Sequence, residues 1–136
     1  MKKIMIIEDD KDLQEVYKKN FEALDYEVII EGDGLSGISS VVEKKPDVIL
    51  LDIMMPNMDG FSFLRAIKDN TSVTIPVVVC SNLSDQETSA KALAAGATAA
   101  LLKTDYSGRD LVHKVNAILI SEATSHIHKE EPVTLE

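Results

Sequence analysis

Residues 48–52 form the stretch Val48-Ile49-Leu50-Leu51-Asp52, an apolar run that ends on an acid. The run is too short for a helix, and its apolar residues do not alternate with polar ones, which is typical of a strand buried on both faces. Similar runs occupy residues 4–7, 28–30, 77–80 and 99–102. The sequence therefore predicts five strands inside one core.

Between these runs the apolar residues follow the spacing of helices. Three such faces consist of Leu13, Val16, Tyr17, Phe21 and Leu24, of Leu35, Ile38 and Val42, and of Leu111, Val115, Ile118 and Leu119. Asp10 is a predicted N-cap of the first helix, and the pair Asp59-Gly60 opens the third. Pro46 and Gly96 end the second and fourth helices. This alternation predicts an α/β fold with a doubly wound parallel sheet and helices on both faces.

The length and composition favour one globular domain. The chain has 136 residues, of which 45% are hydrophobic and 27% are charged, a balance typical of a single folded domain. After residue 123 the helical periodicity disappears and apolar residues become sparse. We therefore assign residues 1–123 to the domain and residues 124–136 to a poorly ordered tail.

Charge and cysteine content narrow the class of partner. The formal net charge of -9 opposes direct binding to nucleic acid or to an anionic membrane, since both need a basic patch. We expect no signal peptide or membrane span, because acids interrupt the first apolar run at Glu8. The single Cys80 has no partner for an internal disulfide and is expected to be buried. These features favour a cytoplasmic protein.

Polar residues stand where the predicted strands end. They are Glu8, Asp9 and Asp10 after the first strand, Asp52 after the third, Ser81 after the fourth and Lys103 after the fifth. In open parallel sheets, ligands bind beyond the carboxyl ends of the strands. We therefore expect these side chains to share one pocket.

The residue types in this pocket predict phosphoryl chemistry with a divalent cation. Neighbouring carboxylates repel one another unless a cation compensates them, and Mg²⁺ prefers oxygen ligands. Lys103 supplies a mobile positive charge and Ser81 a hydroxyl donor for phosphoryl oxygens. Asp52 is then the candidate nucleophile, because a carboxylate can form an acyl phosphate.

Each of these residues alone has an ordinary structural explanation. An aspartate caps a helix or starts a turn, a serine forms a turn, and a lysine is a surface charge. Packing, however, does not require four strand ends to carry an acid pair, an acid, a hydroxyl and an ammonium in that order. The joint pattern favours a functional site.

From residue 3 to about residue 119, the chain resembles the receiver domain of bacterial two-component response regulators, in a stand-alone form. The resemblance rests on Glu8-Asp9-Asp10, on Asp52-Ile53-Met54-Met55-Pro56-Asn57-Met58-Asp59-Gly60, on Ser81 and on Lys103. It implies a flavodoxin-like sheet of five parallel strands in the order 2-1-3-4-5.

The resemblance also implies a phosphoacceptor signalling module rather than an enzyme, although one that assists its own phosphorylation and dephosphorylation. Asp52 is the implied acceptor, and the donor is a phosphohistidine on a sensor histidine kinase or a histidine phosphotransfer protein. The implied Mg²⁺ ligands are Glu8, Asp9, Asp52 and the backbone carbonyl of Met54, whereas Asp10 remains mainly a helix cap. Phosphorylation is implied to rearrange Ser81 and to change affinity for a downstream protein that the sequence does not identify.

Three positions depart from the family pattern. Ala100 stands where an aromatic residue is usual, Thr104 where proline commonly follows the lysine, and Asn82 where a small residue is common. A cis bond before a residue other than proline costs ~3 kcal/mol, so we predict a trans or rearranged loop after Lys103. Two possibilities stay open for Tyr106, which either replaces the missing aromatic or packs against the last helix.

These departures leave an alternative function open. A pseudo-receiver would bind proteins through the same surface without being phosphorylated. A change of backbone signals around Ser81 with Mg²⁺ and a phosphoryl mimic separates a phosphoacceptor from a pseudo-receiver.

Overall fold

The computed structural model of the chain describes residues 1–53, 58–70, 74–82 and 86–130, with side chains as far as residue 121 except that of residue 86. Five strands form one parallel sheet in the order β2-β1-β3-β4-β5. They are β1 (Lys3–Ile7), β2 (Glu27–Glu31), β3 (Val48–Asp52), β4 (Val77–Ser81) and β5 (Ala99–Leu102). The predicted strands, fold class and strand order are confirmed.

The helices lie in two layers, one on each face of the sheet. They are α1 (Lys11–Ala23), α2 (Gly34–Lys44), α3 (Gly60–Asp69), α4 (Gln86–Ala94) and α5 (Gly108–Glu130). Side chains alternate along each strand, so Met5 and Ile7 pack with α2, α3 and α4, while Ile4 and Ile6 pack with α1 and α5. Helix α5 continues past residue 123, so the backbone of residues 124–130, assigned to the tail from the sequence, is helical.

Aspartates begin three of the helices, because their carboxylates accept hydrogen bonds from otherwise unpaired backbone N–H groups. Asp10 accepts from the amides of Asp12 and Leu13, and Asp59 accepts from the amide of Ser62. Both predicted caps are confirmed, and Asp33 caps α2 in the same way.

The face of α2 that packs against the sheet is only partly the predicted one, since of the three predicted residues Ile38 packs against the core. Leu35 and Val42 are 54% and 59% exposed, whereas Gly34, Gly37, Ser40 and Val41 are buried. A Cβ at residue 37 would come within 2.7 Å of Ile7 Cδ1, so the small residues bring α2 close to the sheet. The prediction was wrong for Leu35 and Val42, because apolar periodicity gives glycine and serine no weight as packing residues.

The described helices include none that combines the length and the apolar character needed to cross a membrane.

Candidate functional site

The first acids form the turn between β1 and α1. Glu8 is 2% exposed, although it carries a carboxylate, while Asp9 and Asp10 are exposed. The Glu8 amide donates to the carbonyl oxygen of Glu31 at 3.1 Å, which extends the pairing of β1 with β2. The Asp10 amide donates to Glu8 Oε2 at 3.1 Å. Glu8 therefore points into the protein from the carboxyl end of β1.

Asp52 ends the central strand β3 and is 5% exposed. Its backbone lies against the start of α3, where a Cβ on Gly60 would come within 2.7 Å of Ile53 Cα and 3.0 Å of the Asp52 carbonyl oxygen. Only a residue without a side chain allows this approach at the present spacing. The glycine therefore lets α3 begin directly behind the end of β3.

Lys103 joins the two buried acids from the end of β5. Its Nζ donates to Glu8 Oε1 at 2.7 Å and lies 3.5 Å from Asp52 Oδ2. The three side chains are between 2% and 10% exposed. This is a buried ion-pair cluster in which one ammonium faces two carboxylates.

A third carboxylate completes an acidic group around Asp52. Glu8, Asp9 and Asp52 each place one carboxylate oxygen within 4.8 Å of the others. They line a cleft of about 210 Å³ together with Asp10, Leu13, Asn82 and Lys103. If the three acids are ionised, Lys103 leaves two negative charges unbalanced. The donors are all oxygen atoms, so the group fits a hard divalent cation such as Mg²⁺.

Burial and neighbouring charges shift the pKa values of this cluster. Burial raises the pKa of Glu8. The hydrogen bond from Lys103 lowers this pKa, and the charge of Asp52 raises it further. Burial alone would lower the pKa of Lys103, but its hydrogen bond to Glu8 and the charge of Asp52 outweigh that effect and raise it. The lysine is therefore charged at neutral pH, and ionising Glu8 costs free energy.

Ser81 ends β4 one position beyond Cys80, which pairs in register with Asp52. The side chain of Ser81 is buried. Among the described residues that follow β4, Asn82 lines the cleft. Cys80 is 1% exposed, as predicted, and burial raises the pKa of its thiol. The backbone carbonyl of Met54, also predicted to bind the cation, lies outside the described residues.

Ala100, which stands where the family usually has an aromatic residue, and Tyr106, its candidate replacement, lie on different faces of the sheet. Ala100 packs with the α2, α3 and α4 layer, whereas Tyr106 packs with the α1 and α5 layer. Tyr106 therefore packs beside the last helix and does not take the place of an aromatic at residue 100. No cis peptide bond occurs in the described part of the chain, so the Lys103–Thr104 bond is trans, as predicted.

One contact at the site has no signal in the amino-acid sequence. Gln14 Nε2 donates to the backbone carbonyl oxygen of Glu8 at 2.5 Å. A glutamine in the first turns of a helix is commonplace as a solvent-facing residue, and no motif includes it. Only the position of α1 against the end of β1 reveals its partner.

The family model for the response regulator receiver domain matches residues 4–116. The chain belongs to this family. The receiver domain is similar to the transcriptional regulatory protein CseB of Streptomyces coelicolor, at 34% identity over 116 residues that cover 85% of this chain and 48% of CseB. It is also similar to the response regulator ArlR of Staphylococcus saprophyticus, at 32% identity over 88% of this chain and 53% of ArlR. The chain spans about half the length of such curated relatives.

Solved receiver structures are similar over nearly their whole length. The receiver domain of the Francisella response regulator 1452 has a TM-score of 0.78 at 28% identity, and the match covers 87% of this chain and 96% of that one. The BeF3-activated N-terminal receiver domain of Klebsiella pneumoniae RstA has a TM-score of 0.78 at 27% identity over 86% of this chain and 97% of that one. The resemblance to a receiver domain inferred from the sequence is confirmed.

Proposed function

We propose that this receiver domain accepts a phosphoryl group on Asp52 in a Mg²⁺-dependent reaction and thereby changes its affinity for a partner protein. The observation that supports the proposal is the position of Asp52, which is buried at the end of the central strand. Its carboxylate lies close to those of Glu8 and Asp9, and its Oδ2 lies 3.5 Å from Lys103 Nζ. A histidine kinase or a histidine phosphotransfer protein is the proposed donor.

In the proposed transfer, an Asp52 carboxylate oxygen attacks the phosphorus atom. The phosphorus–nitrogen bond to the donor imidazole breaks, its electron pair stays on the nitrogen, and an acyl phosphate remains on Asp52. Lys103 is already within ion-pair distance of Asp52 and can follow the negative charge onto a phosphoryl oxygen. Ser81 is the proposed hydroxyl donor to a second phosphoryl oxygen.

Glu8, Asp9 and Asp52 are the proposed side-chain ligands of Mg²⁺, with the Met54 carbonyl as a fourth. When bound, Mg²⁺ supplies positive charge against the equatorial oxygens of the transferring group. Glu8 Oε1 already accepts the 2.7 Å hydrogen bond from Lys103, so a Glu8 carboxylate that also held the cation would link the metal to the lysine.

Phosphorylation of Asp52 is the decisive test. A small acyl phosphate with Mg²⁺ should add one phosphoryl mass to the protein, and Asp52→Asn should abolish the addition. Asp69→Asn, which changes an exposed acid at the end of α3, is the control and should be labelled like the wild type. Equal labelling of Asp52→Asn would remove Asp52 as the acceptor.

The alternative function, a pseudo-receiver, is favoured by one observation. Neither Ala100 nor Tyr106 places an aromatic ring on the α4 side of the sheet, so the phosphoacceptor's link to that surface lacks the ring usual in the family. For a pseudo-receiver, beryllofluoride and Mg²⁺ would leave the backbone NMR signals of α4 and β5 unchanged.

A further inference from the structure

Gln14 ties the first helix to the turn that carries the acids. The side chain is half-buried, and its amide donates to the Glu8 carbonyl oxygen. The backbone amide of Gln14 donates to the Asp10 carbonyl at 2.9 Å, so the residue holds both ends of the segment that contains Asp9.

With Gln14 in place, every polar group of Glu8 is engaged. The backbone amide donates to Glu31, Oε1 accepts from Lys103 and Oε2 accepts from the Asp10 amide. The carbonyl oxygen accepts from Gln14. Glu8 therefore cannot rotate without losing one of four hydrogen bonds.

This arrangement also constrains Asp9. The Glu8 carbonyl belongs to the planar peptide unit that contains the Asp9 nitrogen. A hydrogen bond that holds the Glu8 carbonyl oxygen therefore also fixes the orientation of the peptide that leads into Asp9. Asp10 is fixed on the other side as the N-cap of α1. Asp9 itself is exposed, and rotation of the peptide between residues 8 and 9 is a backbone motion that would carry its carboxylate away from those of Glu8 and Asp52.

We infer that Gln14 is a positioning residue, which holds the Glu8–Asp9 peptide so that the Asp9 carboxylate stays in reach of a divalent cation shared with Glu8 and Asp52. The inference rests on the proposed function and deepens it. Gln14 does not touch the cation or the phosphoryl group. Its removal should weaken cation binding and leave the chemistry at Asp52 intact.

The test compares Mg²⁺ binding of the wild type with that of Gln14→Met, which keeps the length of the side chain and removes the donor. Residues that orient metal ligands commonly change metal affinity by about 10-fold or more when replaced, so the Mg²⁺ Kd, measured by NMR titration, should rise about 10-fold. The rate of labelling by an acyl phosphate should fall at limiting Mg²⁺ and recover to the wild-type value at saturating Mg²⁺.

Asn20 offers a matched control in the same helix. Its Nδ2 donates to the Val16 carbonyl at 2.8 Å, the same type of bond away from the acids, and Asn20→Leu removes it. Asn20→Leu should bind Mg²⁺ like the wild type.

Three outcomes would contradict the inference. An unchanged Kd for Gln14→Met, with the wild type binding Mg²⁺, overturns the role of Gln14 alone. An equal loss in Asn20→Leu overturns it in favour of general weakening of α1. A wild type that neither binds Mg²⁺ nor is labelled at Asp52 overturns the proposed function, and the inference falls with it.

Discussion

Lys103 is the residue on which the metal-free site depends. Its ammonium is the counter-charge for two carboxylates whose side chains are 2% and 6% exposed. Removing one partner of such a buried cluster leaves an uncompensated charge, which costs far more than the loss of a surface ion pair. The lysine proposed to bind the phosphoryl group is thus also a residue that stabilises the fold.

Replacing this lysine should expose that dual role. Without Mg²⁺, Lys103→Met should lower the free energy of unfolding by about 3 kcal/mol. Added Mg²⁺ should recover much of the loss, because the cation then balances the same carboxylates. Urea unfolding with and without Mg²⁺ measures both effects.

The exposed pair between Lys18 and Glu22 provides the comparison. Its side chains are 47% and 50% exposed, so Lys18→Met should cost less than about 1 kcal/mol. Similar losses for the two lysine variants would show that burial does not govern the site.

Glu8 should make the metal-free protein less stable at neutral pH than a neutral side chain would. Burial raises its pKa above the ordinary 4.5, so the unfolded chain loses this proton at lower pH than the folded protein does. The stability linked to Glu8 is full below pH 4.5 and is lost as the pH rises through the folded-state pKa.

Glu8→Gln should therefore raise the Tm in EDTA at neutral pH, and the advantage should shrink on acidification. Thermal unfolding between acid and neutral pH follows this change, with Glu15→Gln, an exposed acid of α1, as the control. A gain that is equally large below the ordinary pKa of glutamate would contradict the explanation by burial. Loss of Mg²⁺ binding in the same variant would show that the costly carboxylate is kept for the site.

At the scale of elements, the site depends on helices that start close to strand ends. Helix α1 begins beside Glu8 through the Asp10 cap, and α3 begins behind Asp52 because residue 60 lacks a side chain. The Gly60 amide donates to the Ile53 carbonyl at 2.9 Å, which joins α3 to the end of β3. A change at either junction moves an acid directly.

Gly60→Ala should therefore disturb both stability and function. Its Cβ would meet the backbone of residues 52 and 53 at 3.0 Å or less, and overpacking of this kind commonly costs about 1–3 kcal/mol. Since the strain falls on the peptide of Asp52, labelling by an acyl phosphate should slow as well. Urea unfolding and the labelling rate test the two effects.

Gly32→Ala is the matched control, because nothing lies within 4 Å of a Cβ at that position. It should leave both measurements near the wild-type values. If Gly60→Ala behaved in the same way, the close approach of α3 to β3 would not matter for the acceptor.

At the scale of the whole molecule, the two helix layers and the sheet hold the site between them. Residues of one layer pack with Met5 and Ile7, and those of the other with Ile4 and Ile6, so the ends of β1 and β3 are fixed from both sides. A ligand that binds only where these ends meet must stabilise the entire fold, because the unfolded chain offers no such site.

Mg²⁺ should therefore raise the Tm in a concentration-dependent way. Mass action predicts about 2.7 kcal/mol at 100 times the Kd. Asp9→Asn should remove most of this effect with little change in Tm without the metal, since Asp9 is exposed. Asp12→Asn, which alters another exposed acid in the same region, should keep the full response. If Mg²⁺ did not change the Tm of the wild type, this result would argue against a cation site.

The strands, the caps at Asp10 and Asp59 and the residue types at the strand ends could all be predicted from the sequence. These signals are local, because a buried strand appears as a short apolar run and a cap needs only a few neighbouring residues. The parallel order of the sheet then brought Glu8 and Asp52 to one edge. That step needed only the rule for open α/β sheets.

The contacts between distant groups could not be predicted in this way. Lys103 and Glu8 are 95 residues apart in the sequence. How whole helices pack on the sheet determines three further features: the buried face of α2, the layer in which Tyr106 packs and the hydrogen-bond partner of Gln14. No local pattern encodes these contacts, because each depends on how deeply a helix packs on the sheet and how it is rotated about its axis. Many side chains that are distant in the sequence determine that position together.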